Sequence, residues 1–244
     1  MSSWPRSWPM VPAEPPPERR SGAGGPAPLQ AAHSRAGEPA RLIEGARRLG
    51  CVLTGDSADR LLRLLDELTR WGRAYNLTSI HDREELITHH LLDSLSVHPY
   101  LRGERIADVG TGAGFPGLPL AIAAPQRAFT LIDASQKKLR FVSHAARLLG
   151  LDNVKTLHGR VERLHLSPPC DTVVARAFAP LGELLERIQG LCGVGGRVVA
   201  MKGRLHAAEL AEVTGPWQVI ESPALQIPGL GEARHLVVLE RRER

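Results

Sequence analysis

The sequence predicts an α/β protein in which a small N-terminal helical unit precedes a doubly wound, mostly parallel sheet. Three observations support this fold class. Helical periodicity dominates residues 41–101, short apolar runs alternate with helical segments after residue 102, and a Pro-Gly connection separates the last two runs. Strand–helix alternation is typical of parallel strands joined by right-handed crossovers, and a short turn is typical of antiparallel strands.

The first 40 residues differ from the rest of the chain in composition. They contain nine of the 19 prolines, three of them consecutive at Pro15-Pro16-Pro17. Such a segment cannot bury enough apolar surface to offset the entropy that ordering costs. We therefore expect residues 1–40 to be a disordered, proline-rich leader.

The helical unit is expected to span residues 41–101. Leu61, Leu65 and Leu68 recur at helical spacing, and Ser57 is the expected N-cap of their helix. A second amphipathic helix is expected over residues 84–97.

Residues 102–244 are expected to form the sheet domain. The predicted strands are residues 106–109, 129–132, 154–158, 172–175, 198–201, 217–226 and 235–240. The predicted helices are residues 116–124, 136–149, 181–191 and 206–213. The last two strands read as an antiparallel, hairpin-like end to the sheet.

Charge and cysteine usage narrow the function classes. A net charge of +5 and a pI near 9.5 suit a polyanionic partner, although a slightly basic surface explains them equally well. Cys51, Cys170 and Cys192 are far apart and form no metal-ligand spacing, which favours a reduced, cytoplasmic setting. The apolar runs are too short to cross a bilayer, so we expect no membrane partner.

A glycine-rich turn, Asp108-Val109-Gly110-Thr111-Gly112-Ala113-Gly114-Phe115, follows the first predicted strand and opens a helix. Glycines allow a sharp turn and close approach to a ligand, and this turn lies beside the topological switch point of an open sheet. A dinucleotide site has the pattern G-x-G-x-x-G, but its sixth position here is Phe115. The form D-x-G-x-G-x-G is instead that of sites for S-adenosylmethionine, which makes Gly110, Gly112 and Gly114 candidate cofactor residues.

An acidic residue ends the second predicted strand. Asp133 lies 23 residues after Gly110, where a carboxylate can accept hydrogen bonds from both ribose hydroxyls of an adenosine. The alternative is that Asp133 caps the helix beginning near Gln136.

Seven motifs in a fixed order carry a family resemblance. They are Trp71…Ala74-Tyr75-Asn76-Leu77-Thr78-Ser79, His90-Leu91-Leu92-Asp93-Ser94, residues 108–120, Asp133-Ala134-Ser135-Gln136-Lys137-Lys138, Arg160-Val161-Glu162, Arg176-Ala177-Phe178-Ala179 and Lys202-Gly203. Together they resemble the bacterial 16S rRNA guanine-N7 methyltransferase family, also called glucose-inhibited division protein B, over roughly residues 41–240. The resemblance implies a class I methyltransferase (Rossmann-like) fold and S-adenosylmethionine as cofactor. It also implies methylation of one guanine (guanine 527 in standard rRNA numbering) in 16S rRNA of the 30S subunit.

The family's cofactor positions fall on Gly110, Phe115, Val161, Glu162 and Arg176. The resemblance implies that Phe115 packs beside the cofactor and that Val161 and Glu162 lie near its adenine ring. It places Arg176 beside the methyl-transfer position.

The chemistry that the resemblance implies needs no general base, because guanine N7 carries an in-plane lone pair and no proton. Arg176 is the candidate catalytic residue, through a bond to guanine O6 or to a phosphate. The alternative is a structural ion pair of Arg176 with Glu162 or Asp171. Cys170 follows two prolines, as in cysteine nucleophile motifs, but it enters a strand rather than leaving one and is read as an ordinary thiol.

Four residues are candidates for RNA contact. Lys202 and Arg204 follow the fifth predicted strand, where strand ends line the cleft of such folds. Tyr75 and Asn76 either touch RNA or brace the helical unit. We expect a monomer, and no metal site, since no further ligand accompanies the histidines near residue 90. Two other functions stay open: a non-catalytic RNA-binding factor that retains the fold, and a methyltransferase acting on another substrate.

Overall fold

The computed structural model describes residues 37–243, with side chains throughout except at positions 73 and 74. One eight-stranded sheet forms its centre. The strands are β1 (Arg105–Val109), β2 (Ala128–Asp133), β3 (Val154–His158), β4 (Cys170–Arg176), β5 (Cys192–Lys202), β6 (Trp217–Glu221), β7 (Ala224–Leu225) and β8 (Arg234–Arg241).

The strand order is β3-β2-β1-β4-β5-β8-β6, and β7 pairs with β8. All pairs from β3 to β5 are parallel, whereas β8 runs antiparallel to β5, β6 and β7. The predicted fold class, a mostly parallel doubly wound sheet with an antiparallel end, is confirmed.

Helices flank the sheet in this part of the chain. They are α1 (Glu38–Arg48), α2 (Gly55–Tyr75), a composite helix α3, α4 (Gly117–Ala123), α5 (Gln136–Leu148), α6 (Leu181–Arg187) and α7 (Ala207–Ala211). Helix α3 is α-helical over Arg83–Leu86, π-helical over Ile87–Leu92 and α-helical again over Asp93–Leu95.

Helix α2 begins earlier than the sequence predicted. Thr54, not Ser57, is the N-cap: its hydroxyl accepts a hydrogen bond from the Ser57 backbone N–H at 3.1 Å. Ser and Thr are both favoured at N-caps, and Thr54 has the extended backbone that an N-cap residue adopts. Ser57 therefore lies inside the first turn.

The two faces of the sheet bury two hydrophobic clusters, and neighbouring residues of one strand alternate between them. In β4, Val174 packs in the cluster that contains α2 to α5, whereas Val173 packs in the cluster under α6. This period of two is the geometry of a strand buried on both sides.

The helical unit packs onto the sheet domain through aromatic contacts. The Trp71 ring of α2 lies 5.7 Å from the Phe141 ring of α5, centroid to centroid, and 4.8 Å from that of His144. The Glu67 carboxylate meets Nε2 of His144 at 3.0 Å. The helical unit thus shares one of the two hydrophobic clusters with the sheet and with helices α4 and α5.

The predicted leader reaches three residues too far, because Glu38, Pro39 and Ala40 belong to helix α1. The Glu38 side chain is only 4% exposed and accepts hydrogen bonds from both Nε and Nη2 of Arg83, which also meets Asp66 at 2.9 Å. Residues 1–36 of the predicted leader lie outside the described residues.

This ion pair predicts how two truncated chains differ. A chain beginning at residue 41 loses Glu38 and leaves Arg83 with one carboxylate, whereas a chain beginning at residue 37 keeps the pair. Losing a buried partner costs about 1–3 kcal/mol when a second one remains, so the shorter chain should melt about 3–10 °C lower by calorimetry. Equal melting temperatures would show that the pair contributes nothing to stability.

Candidate active site

The site lies where three parallel strands end side by side. In the register of the sheet, Val109 of β1 faces Ile132 of β2 and Ala175 of β4. The next residues along each strand are Gly110, Asp133 and Arg176, so the pairing brings the three predicted site residues to one edge. This edge is the topological switch point, where open α/β sheets bind ligands.

The glycine turn requires the absence of a side chain at its first position. Gly110 has a φ of +67°, and a Cβ there would lie 2.5 Å from Cδ2 of Phe178. An alanine would meet both backbone strain and a clash with an aromatic ring. Gly112, with a φ of +60°, turns its N–H to the Asp133 carboxylate.

Asp133 ties the turn to the end of β2. Its Oδ2 accepts from the Gly112 N–H at 2.9 Å, and its Oδ1 accepts from the Ser135 N–H at 2.7 Å. The N-cap of α5 is Ser135, whose hydroxyl accepts from the Lys138 N–H, so the alternative reading of Asp133 as the helix cap is wrong. A carboxylate has about four acceptor positions, which leaves two for a ligand.

A cleft of about 270 Å³ opens at this edge of the sheet. Four predicted cofactor residues line it, namely Gly110, Asp133, Val161 and Glu162. Val161 and Glu162 lie in a one-turn 3₁₀ helix, Val161–Arg163, that follows β3. The remaining predicted cofactor residues, Gly112, Gly114, Phe115 and Arg176, do not line the cleft in this conformation.

Phe115 and Gly114 lie beneath the turn rather than at its surface. Phe115 is 2% exposed, stacks on the His90 ring at 4.8 Å and has the Arg176 guanidinium 5.8 Å from its ring centroid. A Cβ on Gly114 would lie 2.4 Å from Cδ1 of Leu118, so this glycine permits close packing against α4.

The acid at the start of the turn is buried, and no cationic side chain of residues 37–243 forms an ion pair with it. Asp108 is 1% exposed, and its Oδ2 accepts from the Thr111 hydroxyl at 2.5 Å and from the Gly117 N–H at 2.8 Å. Burial raises the pKa of Asp108 to about 6, an effect that these two hydrogen bonds and Arg176 partly oppose. The carboxyl therefore closes the turn and is poorly placed to act on a ligand.

Arg176 is held by helix α3. Its Nη1 donates to the His89 carbonyl at 3.3 Å and lies 3.4 Å from Oδ2 of Asp93, while Oδ1 of Asp93 lies 3.2 Å from Nε of Arg234. The expected alternative was an ion pair with Glu162 or Asp171. Arg176 does form an ion pair, but with Asp93 and with neither of the two expected residues.

Asp171 is occupied elsewhere and cannot hold Arg176. Its carboxylate binds the Arg105 side chain at 2.6 Å and accepts from the backbone N–H groups of Glu104 and Arg105. Burial raises the pKa of Asp171, but the bonds from Arg105 and Glu104 outweigh it and hold the pKa below its ordinary value.

His90 is neutral at physiological pH. Burial, then the nearby charges of Arg176 and His89, lower its pKa to about 4, and Nε2 lies 2.9 Å from the Thr78 hydroxyl. Arg176 is thus contacted by His89 and Asp93, and Phe115 by His90. Within residues 37–243 there is no group of three His, Cys, Asp or Glu residues that could hold a metal ion.

The four candidate RNA residues differ in availability. Lys202 is 15% exposed and engaged by the Glu209 carboxylate at 2.6 Å and the Ala179 carbonyl, whereas Arg204 is exposed. Tyr75 packs on Trp71. Asn76 is exposed in a left-handed conformation that ends α2.

The three cysteines are free and buried. Burial raises the pKa of the Cys170 and Cys192 thiols to about 12 and that of Cys51 to about 11. None supplies a thiolate at neutral pH. None of the helices in residues 37–243 is long and apolar enough to span a bilayer.

A family model described as GidB, rRNA small subunit methyltransferase G, matches residues 57–237. The chain belongs to this family. Ribosomal RNA small subunit methyltransferase G of Escherichia fergusonii is 43% identical over 78% of this chain and 92% of its own length. The protein of the same name from Alkalilimnicola ehrlichii is 44% identical over 83% and 93%.

Comparison of the GidB-family chain with solved structures supports the class I methyltransferase fold. Cofactor-bound Rv0187 from MTB superposes with a TM-score of 0.52 at 17% identity, over 75% of this chain and 91% of that chain. At this identity the likeness shows the fold alone.

Three site residues of this GidB-family chain were not predicted from the sequence. Phe178 lines the cleft and blocks a side chain at Gly110, while Asp93 and Arg234 complete the contacts around Arg176. Phe178 and Asp93 lay inside motifs of the resemblance, which was the available signal. Arg234 is 58 residues from Arg176 along the chain, and no local pattern connects the two.

The buried Asp108 predicts a pH-dependent stability difference. Its folded pKa of about 6 exceeds the ordinary 3.8, so the fold favours the neutral form. The stability that Asp108 contributes should be present below pH 4 and lost as pH rises through 6. Relative to Asp108→Asn, wild type should therefore lose roughly 2–3 kcal/mol of unfolding free energy between pH 4 and pH 7. Urea unfolding of both proteins measures this, and a difference independent of pH would contradict it.

Proposed function

We propose that this protein transfers a methyl group from S-adenosylmethionine to N7 of one guanine, guanine 527, in 16S rRNA. Membership of the rRNA small subunit methyltransferase G family supports the substrate class. The observation that carries the proposal is the cleft at the switch point, which joins the Gly110 backbone and the Asp133 carboxylate next to Arg176.

The residues present fit this cofactor. The Gly110 backbone lines the cleft without a side chain, and Asp133 presents a carboxylate with unused acceptor positions at the cleft wall. Two carboxylates, Asp133 and Glu162, line the cleft together with the basic residues Lys138, Arg160 and Arg187, and carboxylates suit ribose hydroxyls. S-adenosylmethionine, when bound, supplies a methyl group on a sulfonium sulfur.

Each predicted cofactor residue named here has a distinct role in this proposal. Asp133 binds the ribose hydroxyls, Val161 and Glu162 hold the adenine, and the Gly110 backbone approaches the methionine part. Gly112 and Gly114 shape the turn, the first by its bond to Asp133. Phe115 supports the site from below, where it packs between His90 and Arg176.

The chain needs to orient its substrate rather than to remove a proton, because guanine N7 loses none. The ionisable groups nearest the turn agree with this. Asp108 is buried and accepts two hydrogen bonds within the turn, and His90 is stacked on Phe115. Neither side chain is therefore accessible to a substrate as a general base. Alignment alone can supply on the order of 7–11 kcal/mol of the barrier.

Arg176 is the group that we assign to the guanine. Of the three guanidinium nitrogens of Arg176, only Nη1 has hydrogen-bond partners within residues 37–243. Nε and Nη2 are therefore free. The side chain is 26% exposed. It can therefore donate to guanine O6 or to a neighbouring phosphate while Asp93 holds its other edge.

The four candidate RNA residues supply further contacts in this proposal. Arg204 and Asn76 are exposed and available without rearrangement. Lys202 is engaged by Glu209 and would have to exchange that partner for a phosphate. Tyr75 is half-buried, with its ring against Trp71 and the Lys137 ammonium 5.0 Å from its ring centroid.

The assignment of Asp133 predicts a loss of cofactor affinity in Asp133→Asn. The amide keeps one acceptor oxygen but loses the charge, and its NH₂ faces one of the two N–H groups that the carboxylate now satisfies. Affinity for S-adenosylmethionine should fall about 10- to 150-fold, measured by calorimetry.

Asp171→Asn is the matched control for this measurement. Asp171 also accepts two backbone N–H groups, but it lies at the opposite end of the strands. It should lower the melting temperature and leave cofactor affinity unchanged. Wild-type affinity in Asp133→Asn, or equal losses in both variants, would refute the ribose role.

The substrate assignment is tested on 30S subunits from cells that lack the gene. Wild-type protein with S-adenosylmethionine should methylate guanine 527 alone, mapped by mass spectrometry of 16S rRNA. Arg176→Ala should lower the single-turnover rate about 30- to 1000-fold at saturating cofactor, with cofactor affinity much less changed. Arg176→Lys should rescue poorly, because an ammonium group lacks the planar fork.

Different results distinguish the alternatives. A protein that binds 30S subunits without methylating them is the non-catalytic factor, and methylation at another position reassigns the substrate. If Arg176→Ala keeps the full rate, the residue has only a structural role.

A further inference from the structure

We propose that Asp93 is a positioning residue for methyl transfer, and that it sets the orientation of Arg176 by sharing its carboxylate between Arg176 and Arg234. This inference rests on the proposed function. It adds two residues, from α3 and β8, to the machinery at the ends of β1, β2 and β4.

The geometry assigns one carboxylate oxygen to each arginine. Oδ2 of Asp93 lies 3.4 Å from Nη1 of Arg176, and Oδ1 lies 3.2 Å from Nε of Arg234. Because both oxygens are engaged, rotation of the carboxylate would break two bonds rather than one. The Asp93 side chain is thus fixed from both sides.

A second contact from the same helix fixes the plane of the guanidinium. Nη1 of Arg176 also donates to the His89 carbonyl at 3.3 Å, so this nitrogen is engaged twice. His89 and Asp93 are four residues apart, and the π-helical segment Ile87–Leu92 immediately precedes Asp93. A π segment changes which side chains share a face, and here the carbonyl and the carboxylate both meet Arg176.

Burial makes these contacts strong enough to orient a side chain. Asp93 is only 5% exposed, while the Arg176 and Arg234 side chains are 26% and 19% exposed. A carboxylate removed from water and balanced by two cations holds them more firmly than a surface pair does. Nε and Nη2 of Arg176 stay available for the substrate.

Arg234 has a second acidic neighbour, but it does not compete for the same nitrogen. Nη1 of Arg234 lies 3.0 Å from the Glu232 carboxylate, which is 64% exposed, whereas Nε meets Asp93. An exposed pair of this kind contributes little. Asp93 therefore remains the buried contact that fixes Arg234.

The test is a double-mutant cycle of Asp93→Asn and Arg176→Ala, measured as single-turnover methylation of 30S subunits at saturating cofactor. The amide can accept from only one arginine and turns its NH₂ toward the other. Asp93→Asn should slow transfer about 10- to 100-fold in the wild-type background. In the Arg176→Ala background it should change the rate less than about threefold, because the residue through which it acts is gone.

Glu38→Gln is the matched control for the loss of a buried carboxylate. Glu38 is 4% exposed and binds Arg83, which is 20% exposed, in the helical unit. This variant should lower the melting temperature as Asp93→Asn does, but should keep the wild-type transfer rate. A comparable slowing in Glu38→Gln would assign the effect of Asp93 to stability.

Arg234→Gln serves where Asp93→Asn fails to fold, since it leaves α3 intact and releases one side of the carboxylate. It should slow transfer several-fold in wild type and not in Arg176→Ala. The inference is overturned by an unchanged rate in the folded Asp93 variant, or by equal slowing in both backgrounds. A wild-type protein that transfers no methyl group contradicts the proposed function itself, and the inference with it.

Discussion

The parallel pairing of β1 with β2 on one side and with β4 on the other is the constraint on which the site depends. Parallel strands end at the same edge, so three segments distant in sequence deliver their next residues side by side. Two bonds then attach the glycine turn to β2: the Thr111 N–H donates to the Ile132 carbonyl, and the Gly112 N–H donates to Asp133. The turn cannot move without breaking the end of the strand. A cleft built on such a framework is formed before any ligand arrives.

The carboxyl groups of two buried aspartates near this edge are stabilised in different ways. Asp108 has no cationic partner among the described residues, burial raises its pKa, and it closes the turn through a hydroxyl and an N–H. Asp93 is balanced by Arg176 and Arg234. The first arrangement favours a neutral group and has a structural task. The second keeps two positive charges together at the edge of the cleft, where an anionic polymer is the proposed substrate.

The sequence predicted the elements and missed the contacts between distant ones. Alternation of apolar runs located the strands of the sheet, because strand and helix periods differ and need no partner to be recognised, but it merged β6 and β7 into a single strand over residues 217–226. It did not reveal the π-helical segment Ile87–Leu92, which continues an amphipathic pattern without a break. Asp133 was found because a strand end and a spacing are local. The partner of Arg176 was not, since Asp93 is 83 residues away and the nearer candidates, Glu162 and Asp171, were chosen by position alone.

The contacts of Arg176 give the helical unit a part in the proposed site. Division of the chain at residues 101 and 102 follows the change of periodicity, but the helix before that boundary supplies the His89 carbonyl and the Asp93 carboxylate to an arginine beyond it. The same helix covers Phe115 with the ring of His90. The unit is anchored by Trp71 against Phe141, within the core that the sheet shares. A chain cut at residue 102 would keep every cleft-lining residue and lose the groups that orient Arg176. The proposed binding of cofactor and the proposed placement of the guanine are therefore properties of different parts of the chain, and only the intact described region combines them.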